Sequence, residues 1–111
     1  MTLRGDHEPG LEHHAALIER VRGFTAGEVA PHAAGVDREA EFPRGVYRRI
    51  AEEGLIGLNR PEGAGASVLE WTLWIEELAK ASATVADVVL TSDLLAFILG
   101  EFGSEGQRDM L

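Results

Sequence analysis

The sequence predicts an all-α domain, an orthogonal or up-and-down bundle of about five helices. Three observations point there. Thr84 to Gly100 reads TVADVVLTSDLLAFILG, and its few polar groups, Asp87, Thr91, Ser92 and Asp93, form no continuous stripe when each residue turns about 100° around a helix. A helix without a wet face must be covered on most sides, so this stretch is expected to be the central rod. Ser67 with Glu70, and Ser104 with Gln107, make the pattern in which a hydroxyl and a side chain three residues on cap a helix start, and Thr84 with Asp87 makes a looser version. Leu11, Ala15, Ile18, Val21 and Phe24 recur at three- and four-residue spacing, the helical period.

Taken in order, Met1 to Gly10 carries two glycines, a proline and several charges and reads as a flexible leader, with the domain proper spanning 11–111. A first helix is expected from about Leu11 to Val29, weakened by Gly23 and Gly27 and stopped by Pro31. Ala33 to Glu41 reads as a small-residue and charged connection. Pro43 suits the first turn of a second helix, because its missing N–H has no intrahelical partner there. Phe42, Val46 and Ile50 form its apolar ridge, and Gly54 ends it as a left-handed cap with Leu55 making the accompanying contact. Leu55 to Leu58 continues as a short buried connector, extended at most as far as Asn59, and Asn59 to Ala66 is a loop containing Pro and Gly. Val68 to about Ala81 forms the next helix. Its Glu70, Glu76, Glu77 and Lys80 share one sector, and Trp71, Leu73, Trp74, Ile75 and Leu78 fill the rest. The last helix starts at Ser104 and is still in progress at Leu111, so the chain is expected to be cut off within it.

Composition removes several functions. A formal net charge of −9 leaves no basic patch to neutralise phosphates, which argues against nucleic acid and anionic membrane surfaces as partners. A membrane span is disfavoured because Asp87 and Asp93 interrupt the only stretch long enough and no Lys or Arg flanks it closely. The absence of cysteine excludes a thiolate nucleophile and a Cys zinc site and fits a reducing compartment. Met1 to Gly10 has no apolar segment of a signal peptide, so a cytoplasmic protein is the expectation.

No nucleophile elbow, phosphate loop, dinucleotide fingerprint or metal-binding helix motif is present. Gly63 and Gly65 lack the strand-to-helix setting of a phosphate turn. His7, His13 and His14 cluster near one end, but His13 and His14 point about 100° apart, as solvated side chains do. The neighbours Glu76 and Glu77 diverge in the same way and read as a wet face. Asp87 reads as a helix-start carboxylate. Asp93, in the middle of the most apolar helix, needs either structural hydrogen bonds or a place in a ligand pocket.

Four motifs in order resemble the N-terminal helical domain of the acyl-CoA dehydrogenases. Asp37, Arg38, Glu39, Glu41, Phe42 and Pro43 are similar to the family's "DREGEFP" run, and Gly54 to Asn59 with Pro61 and Glu62 to its "GLLGLNVPEEYGG" stretch. Glu76 to Ala79 resembles "EELA", and Phe102, Gly103, Ser104, Glu105 and Gln107 resemble "FGSEEQ". The loop after Pro61 departs from the pattern by being about three residues shorter. Its aromatic residue is also missing.

The resemblance implies an FAD-dependent oxidoreductase that introduces an α,β double bond into acyl thioesters carried by CoA or by an acyl-carrier protein. It also implies a homo-oligomer, with an electron-transfer flavoprotein among the partners it allows. In the family the catalytic glutamate and most flavin contacts come from later domains, so this segment is expected to hold no catalytic base and to bind no FAD tightly by itself. Its expected task is to wall the acyl pocket. Read back without gaps from Phe102 and Gly103, the resemblance brings Ala86, Leu90 and Leu94 to pocket-facing positions, with Val89 on the edge of that stripe. The competing expectation is that the stripe packs on the helix of Trp71 and Trp74. A stand-alone helical interaction or dimerisation module, using the same apolar face, is the alternative function.

Overall fold

A computed structural model describes residues 14–58 and 67–111. The expectations for the leader, the start of the first helix, His7, His13 and the glycine-containing loop around Gly63 lie outside the described residues. The described chain comprises α1 (Ala15–Phe24), α2 (Ala33–Glu39), α3 (Arg44–Glu52), α4 (Val68–Ala81), α5 (Ala83–Phe102) and α6 (Glu105–Arg108). A π-helical turn over Thr25–Val29 and a 3-10 turn over Ala30–His32 join α1 to α2. Five unbroken helical runs result, with no strand among the described residues.

Pro31 therefore does not stop the helical path, and the expected connection at Ala33 to Glu41 is mostly the helix α2. The proline lies in the first two positions of the 3-10 turn, where a missing N–H costs no bond, while the wider π turn ahead of it absorbs the change of direction. What ends this run is Ala40, in a left-handed conformation at φ 51°, whose N–H reaches back to the Val36 carbonyl.

The end of α3 is the one expected. Gly54 sits at φ 73°, its N–H bonded to Ala51, and Leu55 N–H reaches Ile50, which closes the six-residue loop of a Schellman end. Ile50 and Leu55 are both fully buried, completing the apolar contact. Phe42 leaves the expected ridge. It is mostly exposed and lies beside Tyr47 and under the guanidinium of Arg44, while Val46 and Ile50 alone carry the ridge inward.

Both strong capping boxes are formed, at Ser67–Glu70 and Ser104–Gln107. The looser one is not. α5 is capped by Ser82, whose hydroxyl accepts from Val85 N–H at 3.2 Å, while Thr84 lies inside the first turn and donates to Asp37. Ser82 also donates its N–H to Leu78, so one extended residue ends α4 and starts α5. That sharp joint lays α5 back against α4. The core gathers around Trp74, met edge-on by Phe24 at 6.2 Å, with Val21, Val29, Ile50, Leu55, Leu78, Val85 and Val89 buried about it. α6 is a single helical turn that tightens after Arg108, rather than a helix still running at Leu111.

Candidate functional site

The longest helix is built in two unlike parts. Toward its start, Val85, Ala86, Val89 and Asp93 are buried, and their spacing of one, four and eight residues makes a single stripe facing inward. Toward its end, Leu94, Leu95, Phe97, Ile98 and Phe102 all stand exposed, Phe102 by 82%. Leu90, Leu94 and Ile98 form one side of this bare end at four-residue spacing, and Leu95 and Phe102 form another. The expected central rod is therefore covered by this chain over only its first half. Apolar composition made the stretch look uniformly buried, but coverage depends on neighbours, and with α2, α3 and α4 against it the buried side chains run only from Val85 to Asp93.

α5 is also long and apolar enough to cross a membrane by length and composition. Its middle, however, carries a buried carboxylate held by two other segments. Asp93 is fully buried; its Oδ1 accepts from Gly57 N–H at 2.8 Å and its Oδ2 from the Trp71 indole N–H at 2.8 Å. Of the two readings open for Asp93 in the sequence, the structure shows hydrogen bonding within the domain. Gly57 suits its place, since φ of 78° turns its amide at the connector in a conformation that side chains disfavour.

The four sequence-predicted wall residues part company. Ala86 and Val89 lie in the domain's own core, packed with the α4 cluster, whereas Leu90 is 36% and Leu94 52% exposed. Sequence reasoning missed Phe97, Ile98 and Phe102 as part of the same bare surface. The usable signal was angular: Ala86, Val89 and Asp93 share one side of the wheel, so the residues after Asp93 on the other sides had no obvious partner.

Glu77 corrects the reading of a wet carboxylate pair. It is 9% exposed, and although burial pushes its carboxyl up, bonds from Lys80 at 3.0 Å and Arg22 at 3.1 Å outweigh that and hold it below the ordinary carboxylate value. Glu76 remains outside, near Lys80. Glu77, rather than the pair, thus ties α1 to α4. Arg49 is held protonated more firmly than usual by Glu28 and Glu52, in a surface network. No group of three metal-ligating side chains occurs among the described residues. A cleft of about 830 Å3 between α2 and α3 is open and lined by both charge signs, including Glu28, Arg38, Glu41 and Arg44, and takes no lining residue from α5.

An all-α domain whose longest helix is packed at one end and apolar but bare at the other falls in the class of helical domains that carry an unpaired apolar wall. The chain belongs to the acyl-CoA dehydrogenase family: the family description "Acyl-CoA dehydrogenase, N-terminal domain" matches residues 11–111. It is 36% identical over 94 residues to a probable acyl-CoA dehydrogenase of Bacillus subtilis, covering 81% of this chain and 25% of that protein. It is 33% identical over 103 residues to the short-chain specific mitochondrial acyl-CoA dehydrogenase of Mus musculus, covering 87% and 24%. A 3-sulfinopropanoyl-CoA desulfinase of Paraburkholderia xenovorans is 31% identical over 98 residues, covering 85% and 25%. The chain spans about a quarter of the length of these curated relatives.

Proposed function

We propose that this domain serves an FAD-dependent enzyme that dehydrogenates acyl thioesters at the α,β position, and that the bare end of α5 is the part of it that meets the acyl chain. The observation that carries this is the exposure of Leu90, Leu94, Phe97 and Ile98 on a domain whose other large apolar side chains are mostly turned inward. Relatives named for benzylmalonyl-CoA, 3-sulfinopropanoyl-CoA and short-chain acyl substrates support a CoA thioester over an acyl-carrier protein. A homo-oligomer and an electron-transfer flavoprotein as electron acceptor complete the reading.

The bare end of α5 does not suit FAD. The bare surface offers leucine, isoleucine and phenylalanine, with Glu101 beside them, and lacks the cations or clustered N–H donors that a pyrophosphate needs. When bound elsewhere in the enzyme, the flavin would supply the hydride acceptor. The part of this chain is to hold the alkyl tail by apolar contact and to keep water from the reacting carbons. Leu90 and Leu94 suit that task, whereas Ala86 and Val89 support the helix from behind.

The test is Leu90→Phe in the full-length enzyme. The larger ring occupies roughly two or three methylene units of an alkyl pocket, each worth about 0.8 kcal/mol of burial. kcat/KM is expected to fall for long acyl chains and to hold for short ones, with thermal stability little changed. Equal losses at every chain length with a lowered melting temperature would make Leu90 a core residue and sink the wall assignment.

A further inference from the structure

Three segments meet at the Asp93 carboxylate: the connector after α3 through Gly57, the first half of α4 through Trp71, and the middle of α5. Both oxygens are used, the side chain is fully buried, and its two partners among the described residues are uncharged N–H donors. The carboxylate satisfies the Gly57 amide, a backbone donor that no apolar side chain could satisfy, and so contributes cohesion. It also adds direction. A hydrogen bond weakens steeply once its angle falls away from linear, so two N–H groups arriving from different segments fix both the rotation and the height of α5. A slip of one residue moves the helix by about 1.5 Å and 100°, and breaks both bonds. Leu90 and Leu94 lie three residues before Asp93 and one after it, on the boundary where the helix leaves the core.

We infer that Asp93 is a positioning residue for substrate selection: its bonds to Gly57 N–H and the Trp71 indole set the direction in which Leu90 and Leu94 project, and so the depth available to the acyl chain. This inference rests on the wall function proposed above. Asp93 touches no substrate and acts through the leucines.

Asparagine at this position keeps the size but offers one acceptor and one donor, while both partners are donors, so its NH2 must oppose an N–H. In the full-length enzyme, Asp93→Asn is expected to change the ratio of kcat/KM for long against short acyl-CoA by about fourfold or more, the shift that burying one methylene produces. Combining it with Trp71→Phe removes the indole donor, leaving the amide oxygen for Gly57 and no donor facing the NH2. The ratio should then return to within about twofold of Trp71→Phe alone, the mark of two groups acting as a pair. Equal losses for all chain lengths in Asp93→Asn, or an unchanged ratio with a lowered melting temperature, would reduce Asp93 to a packing role. Should Asp93→Asn fail to fold, Trp71→Phe alone carries the test: a shift of the ratio by more than about twofold in either direction supports the inference, and an unchanged ratio overturns it. Leu90→Phe measured alongside separates the two levels. If it alters the ratio and the Asp93 and Trp71 variants do not, positioning fails while the wall stands; if the parent enzyme oxidises no acyl-CoA, both fall.

Discussion

The two ends of α5 are nearly alike in composition and opposite in circumstance. The first half sends Val85, Ala86 and Val89 into a core around Trp74, and the second half sets Leu94, Leu95, Phe97, Ile98 and Phe102 on the surface. Burial is a property of the neighbours available, not of the residue, so apolar character alone cannot tell a core helix from a binding wall. The difference becomes visible only with α4 laid against the first half through the joint at Ser82.

The largest expected effect tests the packed half. Trp74→Ala leaves a cavity under Phe24 and should cost about 3–5 kcal/mol in urea unfolding of the 111-residue chain. Phe97→Ala in the bare half should cost less than about 1 kcal/mol, as surface replacements do. Similar losses at both sites would erase the contrast.

Next in size is the behaviour of the bare half itself. An exposed apolar face of this kind is expected to bind an apolar dye strongly and to drive concentration-dependent association of the isolated chain. Leu94→Lys with Ile98→Glu should abolish most of the dye signal without lowering the melting temperature. A two-state monomer that ignores the dye before any substitution would show that the face is covered within the chain.

A pH series probes the packed half from its rim. Glu77 is held below its ordinary value of 4.5, so its ion pairs with Lys80 and Arg22 contribute stability that is complete above that value and is lost as pH falls through the lower folded one. Unfolding midpoints should therefore drop as pH is lowered below about 4.5. Glu77→Gln should be less stable at neutral pH and lose less in acid, while dye binding by the bare half is unaltered in both proteins.

Much of this architecture is legible in the residues. The all-α class, the caps at Ser67 and Ser104 and the glycine end at Gly54 follow from local hydrogen-bonding chemistry, which needs no distant partner. Pro31 and Thr84 misled for a shared reason: each has a local role that is allowed at more than one register, and the choice was made by packing. The proline slid into a 3-10 turn so that α2 could form, and Ser82 displaced Thr84 because one residue could then cap α4 and α5 together. Asp93 was recognisable as a buried polar group requiring partners, but its partners, 36 and 22 residues away at Gly57 and Trp71, lie beyond any local pattern. The bare surface was half legible. Leu90 and Leu94 were on the stripe, and only the three-dimensional packing removed Ala86 and Val89 from its exposed part.

The smallest effect serves as the control for the comparison, because it should move stability without touching either half of α5. Ala40 ends α2 at φ 51°, ψ 33°, a left-handed conformation in which its Cβ crowds the following carbonyl, at a cost of roughly 1–2 kcal/mol for an L-residue. The run it resembles, "DREGEFP", has glycine at that place. Ala40→Gly relieves the crowding but gives the unfolded chain more freedom, which returns about 0.4–1 kcal/mol. The balance is a gain of about 0.5–1 kcal/mol, or a rise of a few degrees in melting temperature. Dye binding should stay as it was, since the bare face depends on what covers α5 and not on how firmly α2 is ended. A dye signal that fell in step with the gain in stability would mean that the dye reads partial unfolding of the whole domain, and the contrast between the two halves of α5 would lose its main assay.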